Sequence, residues 1–157
     1  MPRLLRAGLL TGVVDFLFSS VLVVVFYHST VTRLWQGVAS VPLGPEALTG
    51  GMTSAAIGVL LHFGVAFTWS AVFLFVVLRW PWVRSVLASP YGKAKVAALY
   101  GPLIWTLMSL AVIPVFTHRL PPIGFRWWVQ FFGHIPFVAF PIVFGGLIGS
   151  PPAPKAA

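Results

Sequence analysis

Four apolar runs, each about as long as a bilayer is thick, dominate what this chain can fold into. A membrane-spanning helix needs about 20 mostly apolar residues. Such runs occupy residues 4–28, 52–78, 94–116 and 125–148 of the 157-residue chain. Only 8% of the residues are charged while 59% are hydrophobic, against about 25% charged in a soluble domain. So little charge cannot cover a water-facing surface. The reading is an all-α, polytopic membrane protein: a four-transmembrane-helix bundle forming a single domain over residues 1–150. Residues 151–157 are read as a disordered tail.

The net charge of +8 raises the question of nucleic acid. The basic residues stand at the ends of the apolar runs rather than along one face, so nucleic acid is not an expected partner; the lipid bilayer is. The chain has no cysteine, which excludes disulfides, thiolate metal sites and a thiol nucleophile. The first run is too long for a signal-peptide core. It carries Asp15 in its middle and ends without a small-residue cleavage site, so it is read as a span.

Short-loop lysines and arginines set the orientation. Arg3, Arg6, Arg79, Arg84, Lys93, Lys95 and Lys155 make seven on one side, and Arg33, Arg119 and Arg126 make three on the other. Both termini are therefore expected in the cytoplasm. Trp35, Trp80, Trp82, Trp127 and Trp128 lie near span ends, where amphipathic rings favour the headgroup region. Pro121-Pro122 predicts a tight turn and an antiparallel hairpin of spans three and four. The longer connector, residues 29–51, holds Val31, Leu34, Trp35 and Val38 at helical spacing. It is read as a short interfacial helix with Arg33 and Gln36 off the apolar face.

With lipid as solvent, polar residues at depth carry the information. At 1.5 Å per residue, Asp15 lies about 16 Å from the inner end of span one, His62 about 15 Å and His134 about 13 Å from the outer ends of spans two and four. All three fall near the midplane of a core about 30 Å thick. Burying Asp costs roughly 3 kcal/mol, which the apolar neighbours of span one offset. Gly8, Thr11, Gly12 and Ser19 share the face of Asp15, and small residues let a neighbouring helix approach closely. Ser54, Gly58, His62 and Ala66 form a similar face in span two. Gln130 precedes His134 by one turn, and span three offers Tyr100, Thr106 and Ser109. The candidate site is thus a buried polar core of Asp15, His62 and His134 with Ser19 and Gln130, and Trp35 and Gln36 belong to the connector.

Several readings of that core stand side by side. The groups can be interhelical glue, at about 1 kcal/mol per hydrogen bond. They can mark a proton or small-solute pathway, the role ionisable groups at depth often have. Haem b ligated by His62 and His134 is the one cofactor alternative, since bundles host cofactors between facing helices; each His sits alone and no attachment motif accompanies it. His28 and His118 read as solvated interfacial residues, and an outer zinc site would have only Glu46 to add. Two acids on different levels exclude a carboxylate pair for hydrolysis. No nucleophile elbow, phosphate loop or His-Glu-x-x-His motif is present. The expectation is a non-enzymatic protein of unassigned activity. Its alternatives are a proton-coupled or pH-responsive small-solute transporter or channel, and an accessory subunit of a larger respiratory or photosynthetic complex, associated with haem or pigment. A homo-oligomer is a further partner reading.

Three stretches carry a resemblance: Gly12 to Asp15, Leu34-Trp35-Gln36-Gly37-Val38-Ala39-Ser40, and Gly50-Gly51 leading to Gly58 and His62-Phe63. They resemble the YagU-like small bacterial inner-membrane proteins, over the first half of the chain. Tyr100-Gly101 is the looser match in the second half. The resemblance implies an inner-membrane protein in a family with some members linked to acid tolerance, with Asp15, Gln36 and His62 on the recurrent pattern and His134 outside it.

Overall fold

The structure, a computed structural model, describes residues 1–148; the tail at 151–157 lies outside the described residues. The described chain is helical, with no strand among its residues. Four helices are long and apolar enough to cross a membrane: α1 (Arg3–Phe26), α3 (Gly51–Arg79), α5 (Gly92–Thr117) and α6 (Phe125–Leu147). Two shorter ones fill the connectors, α2 (Val31–Leu43) and α4 (Pro81–Ala88). The four apolar runs therefore become the four long helices, with ends within a few residues of the expected ones.

The local chemistry explains the breaks. The Thr30 side chain accepts a hydrogen bond from the Arg33 amide and starts α2, the N-cap role for which threonine is favoured. Pro81 opens α4, where its missing N–H is no loss. Each of α5 and α6 contains one wide π turn, at Met108–Val112 and Ile135–Ala139. Pro114 follows the first and Pro136 lies in the second. A proline ring clashes with the carbonyl four residues back, and a widened turn relieves the clash.

Neighbouring long helices run antiparallel, and small residues mark the seams. A side chain at Gly8 would strike the ring of Phe67, and one at Gly12 the ring of Phe63, so α1 and α3 run opposite ways at close approach. Gly145 abuts Ala7 near one end of α1, and Gly133 abuts Phe18 further along, which makes α6 antiparallel to α1. Gly101 sits on the backbone of His134 and Trp127 bonds Ser109, the antiparallel hairpin expected for α5 and α6. The start of α1 and the end of α6 thus share one end of the bundle. There the Arg6 guanidinium donates to the carbonyls of Gly145 at 2.5 Å and Ile148 at 2.7 Å, filling orphan acceptors of the helix end.

The two ends of the bundle differ in packing. At the terminal end, Phe73, Val83, Tyr100, Ile104, Ile142 and Val143 form a closed core, and the Tyr100 hydroxyl donates to the Trp69 carbonyl at 2.8 Å. At the opposite end, α2 packs on the first turns of α3. The Trp35 carbonyl lies where a side chain at Gly58 would go, and Gln36 Nε2 donates to the Gly51 carbonyl at 3.1 Å. Gln36 lies off the apolar stripe yet is only 7% exposed: an amide with a backbone partner can be buried beside that stripe. The tryptophans divide as well. Trp80 and Trp82 are half exposed, while Trp35 and Trp127 are 3% and 8% exposed, so these two are core residues rather than members of a surface belt.

Candidate functional site

Asp15, His62 and His134 line one open cavity of about 740 Å³ bordered by α1, α2, α3, α5 and α6. Spacing of four along each helix puts them there. On α1 the series Thr11, Asp15, Ser19, Val23 and Tyr27 faces the cavity, and on α6 the series Arg126, Gln130, His134 and Val138 does, as positions one turn apart share a face. His62 and Ala66 supply the wall from α3. Ser19 and Gln130 are therefore cavity residues, as is Trp35 from α2; Gln36 is not, its amide being turned to Gly51.

The sharpest geometry concerns the two histidines. His62 Nε2 lies 3.0 Å from the Gly12 carbonyl on α1. A carbonyl oxygen only accepts, so Nε2 carries the hydrogen. His62 Nδ1 then faces Asp15 Oδ2 at 3.7 Å. A neutral ring with its hydrogen on Nε2 presents a lone pair there, which an ionised carboxylate opposes. The pair is comfortable only with one further proton, on Nδ1 as imidazolium or on the carboxyl. His134 is fixed in the other sense: Nδ1 lies 2.7 Å from the Gln130 carbonyl one turn back, so Nδ1 is the donor and Nε2 is left as the free nitrogen. Holding one ring nitrogen on a backbone carbonyl selects the tautomer and orients the other for chemistry.

Aromatic rings clamp this centre. Trp35 stacks on Phe16 at 4.8 Å with planes 6° apart and tilts against His62 at 4.9 Å. Trp105 lies against His134 at 5.0 Å. At the end away from the termini, the Arg126 guanidinium sits 4.2 Å above the Tyr27 ring, a cation–π contact. Tyr27 and Arg126 were not singled out from sequence, although each continues by fours the series that holds Asp15 or His134. Trp105 had no such signal.

The fit to haem is poor. The Nε2 through which His62 would ligate iron is turned to the Gly12 carbonyl, and Nδ1 faces Asp15. Among the described residues no three His, Cys, Asp or Glu side chains are placed to hold a metal ion. No family model matches the chain, and neither a curated protein nor a solved structure matches it.

Proposed function

We propose that this chain is a multi-pass protein of a bacterial inner membrane, non-enzymatic, which admits a small solute to a chamber on the outer side and couples occupancy to the proton shared by Asp15 and His62. The single observation that carries the reading is the placement of that pair on the wall of a cavity walled by all four long helices, with a closed apolar core at the terminal end. Ionisable groups at such depth mark proton or solute paths.

Lipid as the solvent is supported by an inverted surface. Leu60, Leu99, Val115 and Phe132 are among many large apolar residues left exposed, whereas Thr11, Ser54, Ser70 and Ser109 are buried between helices. An aqueous surface would select the reverse, and small or polar residues are what membrane helices place at their contacts. The bias of lysine and arginine puts the termini in the cytoplasm, and α2 then lies in the outer interface, covering the chamber with Leu34, Val38 and Val41. Kinship with the YagU-like inner-membrane proteins belongs to the same proposal. It rests on the matching positions Asp15, Gln36 and His62.

The test is proton movement in proteoliposomes carrying an internal pH dye, with a membrane potential imposed. The expected result is a flux above that of empty vesicles, abolished by Asp15→Asn and strongly reduced by His62→Gln. Vesicles no leakier than empty ones, with Asp15→Asn altering only the unfolding temperature, would overturn the proposal and leave the pair as interhelical glue.

A further inference from the structure

The polar atoms of the chamber are unevenly matched. Five buried side-chain atoms on cavity-lining residues have no hydrogen-bond partner: Thr11 Oγ1, Tyr27 OH, Trp35 Nε1, Trp105 Nε1 and Asp15 Oδ1. The two indole nitrogens can only donate, the two hydroxyls can donate, and only the carboxylate oxygen is confined to accepting while ionised. Trp35 and Thr11 are almost wholly buried, at 3% and 1% exposure, and a buried donor without an acceptor is destabilising. Of these donors Tyr27 lies beneath Arg126, and an occupant whose head reaches that position supplies its missing partner by bringing an acceptor.

Charge at the mouth points the same way. Arg33 and Arg126 both line the cavity. Arg33 spends one nitrogen on the Leu48 carbonyl at 2.7 Å. Arg126 has no hydrogen bond or ion pair among the described residues, only the Tyr27 ring beneath it. The chain's other acid, Glu46, does not line the cavity. A cation would meet two guanidinium groups on entry, whereas an anion would find a planar donor fork and the Tyr27 hydroxyl beside it. Between the Arg126 level and the Asp15 level the wall is mainly apolar, with Val23, Met108 and Val112, interrupted by Ser19 and Gln130. The volume falls within the roughly 300–1,000 Å³ of ordinary small-molecule sites.

We infer that the chamber binds an anionic amphiphile, its acidic head at Arg126, Arg33 and Tyr27 and its apolar part directed inward. This rests on the reading of the cavity as a solute chamber and names the class of solute. A free carboxylic acid and an anionic phospholipid share the head-group chemistry, and the lipid composition of the assay separates them.

The experiment is calorimetric titration of the purified protein in nanodiscs of phosphatidylcholine, with sodium decanoate and with decyltrimethylammonium as probes. Decanoate is expected to bind saturably, one per chain, and the cation of equal chain length not to bind. Arg126→Gln should weaken decanoate about tenfold, the value of one charge-assisted contact, and Tyr27→Phe should weaken it less while keeping the ring. Arg126 is exposed, so its loss leaves the packed bundle intact. In nanodiscs containing phosphatidylglycerol, an unchanged affinity identifies the free acid as the source and a reduced one the lipid head. Absence of saturable binding, equal binding of the two probes, or indifference to Arg126→Gln overturns the inference. Decanoate binding is read without flux: it can fail while Asp15-dependent proton movement persists, and it can persist in vesicles that move no protons.

Discussion

The carbonyl of Trp35 occupies the space that a side chain at position 58 would need, so α2 and α3 meet backbone to backbone at Gly58. That contact also fixes where the Trp35 ring lies against Phe16 and His62. Gly58→Ala should therefore destabilise the protein by about 1–3 kcal/mol, the usual cost of overpacking a fitted contact. Thermal unfolding in mild detergent measures it. Gly64→Ala is the control, since nothing lies within 4 Å of its added carbon, and a helix interior favours alanine. Equal effects at the two positions would refute the close approach.

The two histidines should be locked in opposite tautomers. His62 donates through Nε2 to Gly12, and His134 donates through Nδ1 to Gln130. Nitrogen-15 spectra of histidine-labelled protein, assigned with His62→Gln and His134→Gln variants, report which ring nitrogen carries hydrogen. Hydrogen on Nε2 of a neutral His134, or on Nδ1 alone of His62, would contradict the arrangement.

Much of this architecture is legible in the sequence, because each apolar run has the length of one span-sized helix and spacing by fours assigns each face. That is why Asp15, Ser19, His62, Gln130 and His134 could be grouped without coordinates, and why they line one cavity. His134 lies outside the YagU-like pattern yet stands on the same wall, since depth and face, not motif, place it. Other features were hidden for physical reasons. The burial of Gln36 depends on the Gly51 carbonyl fifteen residues away, a partner that helical periodicity cannot reveal. The helix α4 falls in a connector too short and too basic to stand out. The cavity is a volume left between the helices, and no residue pattern encodes a volume. Trp35 and Trp127 look like interfacial tryptophans by position, but each is enclosed by a neighbouring helix.

Trp127 offers a measurable case of that enclosure. Its indole Nε1 donates to Ser109 Oγ at 3.1 Å across α6 and α5. A double-mutant cycle with Trp127→Phe and Ser109→Ala isolates the bond. Interhelical hydrogen bonds in membranes average about 0.6 kcal/mol and reach about 1.7 kcal/mol, and this buried pair should fall in the upper half of that range. Strict additivity of the two single variants would show that the bond contributes nothing.

Orientation is testable with unusual simplicity, because the chain contains no cysteine and any introduced thiol is unique. Ser85 lies in α4, in the connector on the terminal side of the bundle, and is exposed; Leu120 lies in the turn between α5 and α6 and is 73% exposed. The proposed orientation, with the excess of lysine and arginine inside, has Ser85 in the cytoplasm. A membrane-impermeant maleimide added to intact spheroplasts should therefore label Leu120→Cys fully and Ser85→Cys only after lysis. The reverse pattern would invert the protein and turn the chamber, with Arg33 and Arg126 at its mouth, to the cytoplasm. Labelling of both from outside would mean that the long helices do not cross the bilayer as four spans.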